Sequence, residues 1–448
     1  MRCVTPHVPP VFYCRKGVRK MYRAVLSELK AWKESKNRGP LFLKGGIQTG
    51  KTWVLNEFGN LFYQDVLYVD CRKANYISYL VEGELAPERI MSRLSTYHGD
   101  EIVPSETLLV FDNVEAVSGL VKMLLWLAGE LPEYHICMTG NNVGDEFPTV
   151  EDKVAPPQII ELFPMDFKEF LCATRNEDLI EIIEEHGAVE DGAELFRIIT
   201  QLEMYFLVGG MPKAVVEWVG TGELLRVREA HAAIFKTVRE VLERTTDAET
   251  VEKAFKLLCG AAEALRKDNK KFVYSVLGEK SKTKDYEATL QLLKNTGLIC
   301  ELWRVNDGNW PPEQYIDEKS FKLYPTDIGL LSYLYDFETK AFMSKEVFAA
   351  GKGALTEQFV YQELKCNPNI SSLVYWTGQN PPAKAEFLFH DDNRMIPIEI
   401  AKPGKKKSNN LSVFAKKYNV PLGIRISLDE MGREAGVLTI PMYAIWNL

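Results

Sequence analysis

The stretch GGIQTGKTW, residues 45–53, sets Gly45, Gly50, Lys51 and Thr52 at the spacing G-x4-G-K-T. Chemistry explains why these residue types belong together. Glycines let main-chain N–H groups curl around phosphate oxygens, and a helix starting at the end of the loop adds its dipole. Lys51 can bridge the β and γ phosphates of a nucleoside triphosphate, while the Thr52 hydroxyl can ligate Mg²⁺. Gly46, Gln48, Thr49 and Trp53 complete the candidate cofactor-binding set within the same stretch. The apolar run LFLK precedes the loop and a helical pattern follows it, which sets it apart from a chance glycine-rich turn. The expected cofactors are ATP and Mg²⁺.

Two downstream strands carry the partners that such a loop needs. TLLVFDN is an apolar strand ending in Asp112, whose carboxylate can hold the metal's water shell beside Thr52. ATPases of this general type place a glutamate directly after that aspartate to polarise the attacking water, whereas here Asn113 stands there. An amide cannot accept a proton as a general base. Glu115, two residues on, either takes over that role or is a surface helix residue, so Asn113 and Glu115 are the two catalytic candidates. The next strand, HICMTGNN, ends in Thr139, Gly140 and Asn141. A polar side chain there either senses the γ-phosphate or simply ends the strand in a turn.

The elements around these residues follow from pattern. Apolar runs at 41, 66, 107 and 135 alternate with longer amphipathic stretches, which predicts parallel strands joined by right-handed helical crossovers: an open α/β sheet. Residues 17–35 read as a helix ahead of the first strand. From 161 to about 245 the chain turns helical, 246–335 mixes helices with a hairpin candidate, and the remainder is a helix followed by strands.

At 448 residues the chain is too long for a single core. Its 46% hydrophobic and 26% charged residues are those of a globular protein. Charged residues interrupt every apolar stretch before bilayer length, and the first 20 residues lack a secretory core, so no membrane and a cytoplasmic location are expected. Eight cysteines and six histidines lie scattered, without metal-ligand spacing. A net charge of -8 argues against general affinity for nucleic acid, although basic stretches at 266–284 and 402–410 stand out locally.

Taken in order, GGIQTGKT, LLVFDN, MTGNN, ELFPMDFKEFL, YFLVGGMPKAV, DNKKFVYSVL, FKLYPTDIGLL, GALTEQFVYQEL and VYWTG resemble the bacterial and archaeal AAA-type ATPases whose C-terminal half carries a winged helix and a restriction-endonuclease-like domain. The resemblance runs over almost the whole chain. It implies a P-loop AAA-type core at 1–160, a helical lid at 161–245, a winged-helix module at 246–339 and a nuclease-like domain at 340–448. Two departures stand out: Ile47 replaces the arginine usual in the family's loop, and Asn113 replaces the glutamate.

A nuclease site of that kind needs carboxylates around a divalent metal and a lysine beside the attacking water. Glu357, Glu386 and Glu399 are the candidates, but the lysine position two after Glu399 is Ala401, and Lys402 falls on the opposite face of a strand. The reading favoured is a decayed site. In the winged-helix segment the helix after Lys284 shows an apolar face through Ala288 and Leu292, and Lys270, Lys271, Lys280, Lys282 and Lys284 are placed for phosphate contact. The same fold also serves as a protein–protein spacer. Gly209, Gly210 and Pro212 break a helix, which reads either as a pivot for the lid or as a static turn. Function is expected to be that of a nucleotide-dependent switch or slow ATPase with a protein partner, the alternative being an ATP-regulated DNA-binding protein or nuclease.

Overall fold

The computed structural model describes residues 21–73, 77–81, 86–141, 157–189, 192–336, 348, 350–379, 381–401, 409–428 and 431–448. The chain forms two compact units, residues 1–163 and 164–448.

In the first unit β1 (Leu41–Gly45), β2 (Asp65–Asp70), β3 (Thr107–Asp112), β4 (His135–Gly140) and β5 (Gln158–Leu162) make a sheet in the order β2-β3-β4-β1-β5. Every pairing is parallel. Both faces are covered, so β3 and β4 are buried at every position and read as unbroken apolar runs. Alternate side chains serve alternate faces. Leu41, Leu43, Leu108 and Val110 pack on Leu29, Trp32, Leu55 and Phe58 of the helices Val25–Glu34 and Lys51–Phe62. Phe42, Leu109, Phe111 and Met138 pack on Leu94, Leu120 and Leu124 from Pro87–His98 and Leu120–Glu130. The fifth strand was not among the four apolar runs. Only Ile160 and Leu162 of QIIEL are buried, and its place at the sheet edge beside β1 lets the other three residues face out.

This topology brings the carboxyl ends of β1, β3 and β4 side by side, with Leu43 opposite Thr139 and Lys44 opposite Gly140. Ligands of open parallel sheets collect at such ends.

The second unit opens with helices, among them Ala193–Val208, Pro212–Thr221, Leu224–Thr245 and Ala248–Leu265. It continues into an eight-stranded sheet of β6 (Ile299–Val305), β7 (Ile316–Pro325), β8 (Val374–Gln379), β9 (Pro382–Asp391), β10 (Arg394–Ile400), β11 (Gly423–Ser427), β12 (Gly432–Glu434) and β13 (Val437–Pro441). Its order is β12-β13-β11-β10-β9-β8-β6-β7. The antiparallel hairpin β6–β7 joins β8 through Arg304 opposite Tyr375 and Val305 opposite Trp376, so one sheet crosses the boundary expected at 339/340. Helices Ala350–Cys366 and Asn410–Tyr418 accompany β8 to β11.

One expectation changes in this unit. The helix Glu287–Asn295 buries Thr289, Leu290 and Leu293, while Ala288 is exposed and Leu292 half-buried. A methyl group covers little area, and the larger side chains one position on set which face turns inward.

The glycine pair is pinned. Gly209, with φ 70°, ends one helix, and Gly210 N–H donates to Asp327 Oδ2 at 2.6 Å. Gly210 carbonyl accepts from Met165 N–H at 2.7 Å, and Tyr205 hydroxyl donates to Met165 carbonyl at 2.5 Å. Gly209, Gly210 and Met211 are all buried, so this is a clamped joint between helices. Residues 17–20 of the helix expected at 17–35, and 402–408 of the second basic stretch with Lys402, lie outside the described residues.

Candidate nucleotide site

The loop between β1 and the helix Lys51–Phe62 turns through two left-handed residues, Gln48 at φ 63° and Gly50 at φ 97°. The Gly50 value is one that a side chain would strain, which explains the glycine there. Gly45 has a different reason: a Cβ on it would stand 2.5 Å from the Leu162 carbonyl and 3.0 Å from Thr49 Oγ1. Thr49 is buried and its hydroxyl donates to the Gly46 carbonyl at 2.9 Å, closing the loop on itself.

Lys51 is buried, and its ammonium donates to Gly45 carbonyl at 2.7 Å, Gly46 carbonyl at 2.8 Å and Asn141 Oδ1 at 2.8 Å. Burial pulls its pKa down to about 8, with the carboxylates of Glu115 and Asp112 opposing that shift. Thr52 hydroxyl donates to Asp112 Oδ2 at 2.6 Å. Asp112, also buried, accepts from Tyr68 hydroxyl at 2.6 Å and from Thr139 hydroxyl. Thr139 in turn accepts from Asn113 N–H at 3.0 Å.

Glu115 lies in a 3-10 turn after β3 and reaches back to β4, where its Oε1 accepts from Asn141 N–H at 3.4 Å. The residue as a whole is exposed, yet its carboxylate is hemmed in: a Cβ on Gly140 would stand 2.7 Å from Oε2. That local burial is the chief reason the pKa of Glu115 is raised, even though Lys51 pulls it down. Asn113, at φ 61°, contributes its main-chain N–H to Thr139. Trp53 is exposed on the first turn of the helix.

Lys51, Thr52, Asp112, Glu115 and Asn141 are therefore brought together. Two members of the cluster went unseen in the sequence. Tyr68, on β2, orients Asp112. Arg23 is buried behind the loop and donates to Thr49 carbonyl at 3.1 Å and to Phe163 carbonyl at 2.7 Å. A guanidinium thus does brace the loop despite Ile47, arriving from ahead of β1. Tyr68 stands between the buried Leu67 and Val69, an alternation that could have placed it on the opposite face of β2, but nothing local marks Arg23.

With this geometry in place, the comparisons with known proteins decide the domain type. A family model described as "AAA domain" matches residues 37–171. This part of the chain is an AAA-type P-loop domain. A second model, described as a domain of unknown function (DUF8612), matches residues 199–341. No curated protein matches the chain. Among solved structures, the Aeropyrum pernix ORC1 protein in complex with DNA is 15% identical with a TM-score of 0.30, covering 71% of this chain and 92% of that one. C. elegans PCH-2 is 15% identical with a TM-score of 0.28, covering 46% and 67%. Drosophila ORC bound to DNA is 11% identical with a TM-score of 0.26, covering 70% and 85%. At these scores none of the three bears on function. Outside the AAA domain, no helix among the described residues is long and apolar enough to cross a membrane, nor is there one inside it.

The three carboxylates expected to hold a nuclease metal are each answered by cations. Glu357 Oε1 accepts from Lys322 ammonium at 2.7 Å and from Tyr324 hydroxyl at 2.7 Å, and Lys270 stands 3.1 Å from Oε2. Burial would raise the Glu357 carboxyl, but the two ammonium groups overcome it and hold the pKa at about 2. Glu386 pairs with Lys384 at 2.6 Å, and Glu399 lies 3.7 Å from Arg425. Among the described residues no group of three or more His, Cys, Asp or Glu side chains is arranged to hold a metal ion. Glu357, Glu386 and Glu399 are members of ion pairs, and all three act electrostatically on Lys384.

Proposed function

We propose that the AAA domain binds ATP with Mg²⁺ and acts as a nucleotide-dependent switch with slow turnover. The observation that carries this is the cluster of Lys51, Thr52 and Asp112 at the mouth of the loop. The donor set fits the cofactor: a buried ammonium suits phosphate oxygens, and a hydroxyl 2.6 Å from a carboxylate offers two hard oxygens to a divalent cation. The loop is also too tight at Gly45 to admit a side chain. Mg²⁺ bound there would offset the charge on the transferred phosphoryl group. Lys51 holds phosphate, Thr52 and Asp112 hold the cation, and Tyr68 with Thr139 fixes the carboxylate. Asn141 links the Lys51 ammonium to Glu115, so occupancy of the loop is felt at the end of β4.

Glu115 takes the water-polarising role that Asn113 cannot fill. Its raised pKa fits a base, and its reach beside Asn141 fits the position. Glu115→Gln is expected to lower phosphate release by about 10- to 100-fold while leaving ATP affinity within a few fold. A phosphate-release assay paired with titration calorimetry measures both, and unchanged release removes Glu115 from the role.

One observation favours an added DNA-binding reading of residues 246–339. Lys253 and Lys256 on the helix Ala248–Leu265 join Lys280 and Lys284 around an open groove of about 860 Å³. We read this segment as a winged-helix module whose lysines meet backbone phosphate. Converting all four to glutamine is expected to lower the salt dependence of duplex binding by roughly 0.9 in log–log slope per lost contact. Retention on duplex DNA that ignores these changes argues for the spacer role. The segment 350–427, with its helix, three strands, helix and strand, we read as a restriction-endonuclease-like scaffold converted to a structural one by its ion pairs.

A further inference from the structure

A second binding site lies away from the loop, at the carboxyl ends of the parallel neighbours β6 and β8. A cleft of about 750 Å³ is lined by Arg304 and Asn306 after β6, Trp376 and Thr377 of β8, and Lys416 and Lys417 of the helix Asn410–Tyr418. Its size suits a nucleotide rather than a lone inorganic ion. Its chemistry is that of a donor set. Trp376 is 1% exposed, and its indole N–H is buried with no hydrogen-bond partner among the described residues. An unmet buried donor is costly unless something completes it. Lys416 and Lys417 are exposed and form no ion pair among the described residues, with Lys417 ammonium 5.6 Å from the Trp376 ring.

Arg304 is held in place for the site. It donates to Asp317 Oδ2 at 3.1 Å, Thr377 hydroxyl at 3.1 Å and Asn306 Oδ1 at 2.6 Å. Asp317 cancels much of its charge, and Asp307 stands near Lys417, so the net positive character of the cleft rests on the two lysines. The wall is firm. A Cβ on Gly308 would lie 2.6 Å from the Phe414 ring, which seats the turn after β6 directly on the helix.

We infer that this cleft binds a phosphate ester of nucleotide size, with Lys416 and Lys417 on the phosphate and the Trp376 N–H meeting an acceptor at the floor. Trp376 is too deeply buried to stack on a base, so recognition is of the phosphate and its sugar. A free nucleotide and a nucleotide within a single strand share that chemistry.

The test uses the full chain carrying Lys51→Ala, so that the P-loop does not contribute. Binding of thymidine monophosphate and of a fluorescein-labelled oligothymidylate is measured at low salt. Both Lys416→Gln/Lys417→Gln and Lys280→Gln/Lys284→Gln are compared, with melting curves to show that the fold is kept. Expected is binding of at least one probe, weakened about tenfold or more by the first pair and unaffected by the second. Monophosphate competing with the oligomer points to a free nucleotide, and binding of the oligomer alone points to a strand. Failure of both probes to bind, or a loss that follows Lys280 and Lys284 instead, overturns the inference. ATP binding by the unaltered chain is measured separately, so the two sites stand or fall independently.

Discussion

Replacing Lys51 with alanine is expected to lower ATP affinity by about 100- to 1,000-fold. Two charge-assisted hydrogen bonds to phosphate, at about 1.5–2 kcal/mol each and so about 3–4 kcal/mol together, set that scale. The substitution also removes the common donor of the Gly45 and Gly46 carbonyls and of Asn141 Oδ1, so the loop loses its internal brace. Titration calorimetry with ATP and Mg²⁺ checks it, alongside a melting curve to show that the first unit still folds. Affinity within about tenfold of the unaltered protein would end the nucleotide reading of the loop.

The same lysine gives the binding a pH signature. Its pKa is about 8 in the free protein, and an adjacent triphosphate favours the charged form and raises it. The complex then holds more protons than the free protein. Affinity is complete below pH 8 and falls as pH rises above it, by up to tenfold per unit until the pKa of the complex is reached. Calorimetry near pH 8 in buffers of different ionisation enthalpy is expected to show proton uptake on binding.

The second large effect is structural. Gly210→Ala is expected to destabilise residues 164–448 by about 3 kcal/mol or more, placing it in the tail of single substitutions. A Cβ on Gly210 would fall on the Met165 carbonyl oxygen, with the Met165 nitrogen 2.7 Å away, and both are main-chain atoms that cannot swing aside. Relief requires breaking either the Met165 N–H bond to Gly210 or the Gly210 N–H bond to Asp327. The latter matters because Asp327 is wholly buried. Burial raises its pKa to about 6, with the N–H groups of Gly210 and Leu330 opposing the shift. Differential scanning calorimetry reads the change, and a melting temperature that stays put would mean the joint yields easily.

The P-loop was legible because its chemistry is local: two glycines, a lysine and a threonine within eight residues need no tertiary fold to be recognised. Asp112 was legible for a related reason, since a wholly buried strand advertises its own end. What stayed hidden depends on distant pairs. Arg23 meets a carbonyl 26 residues on and another 140 residues on. Lys322 finds Glu357 35 residues away. Neither distance leaves a spacing to read. Ala288 was misassigned because helical periodicity marks a stripe, and the bulk of Leu290 and Leu293 chose its centre.

The grip of Lys270, Lys322 and Tyr324 on Glu357 has a consequence for how this polypeptide could be divided. Lys322 and Glu357 sit on opposite sides of residue 339, each almost wholly shielded from water. A protein severed there would strand a naked ion in each fragment, a penalty of several kcal/mol apiece. The hairpin and the C-terminal strands are thus one folding piece, held by a shared sheet and a shared buried charge pair.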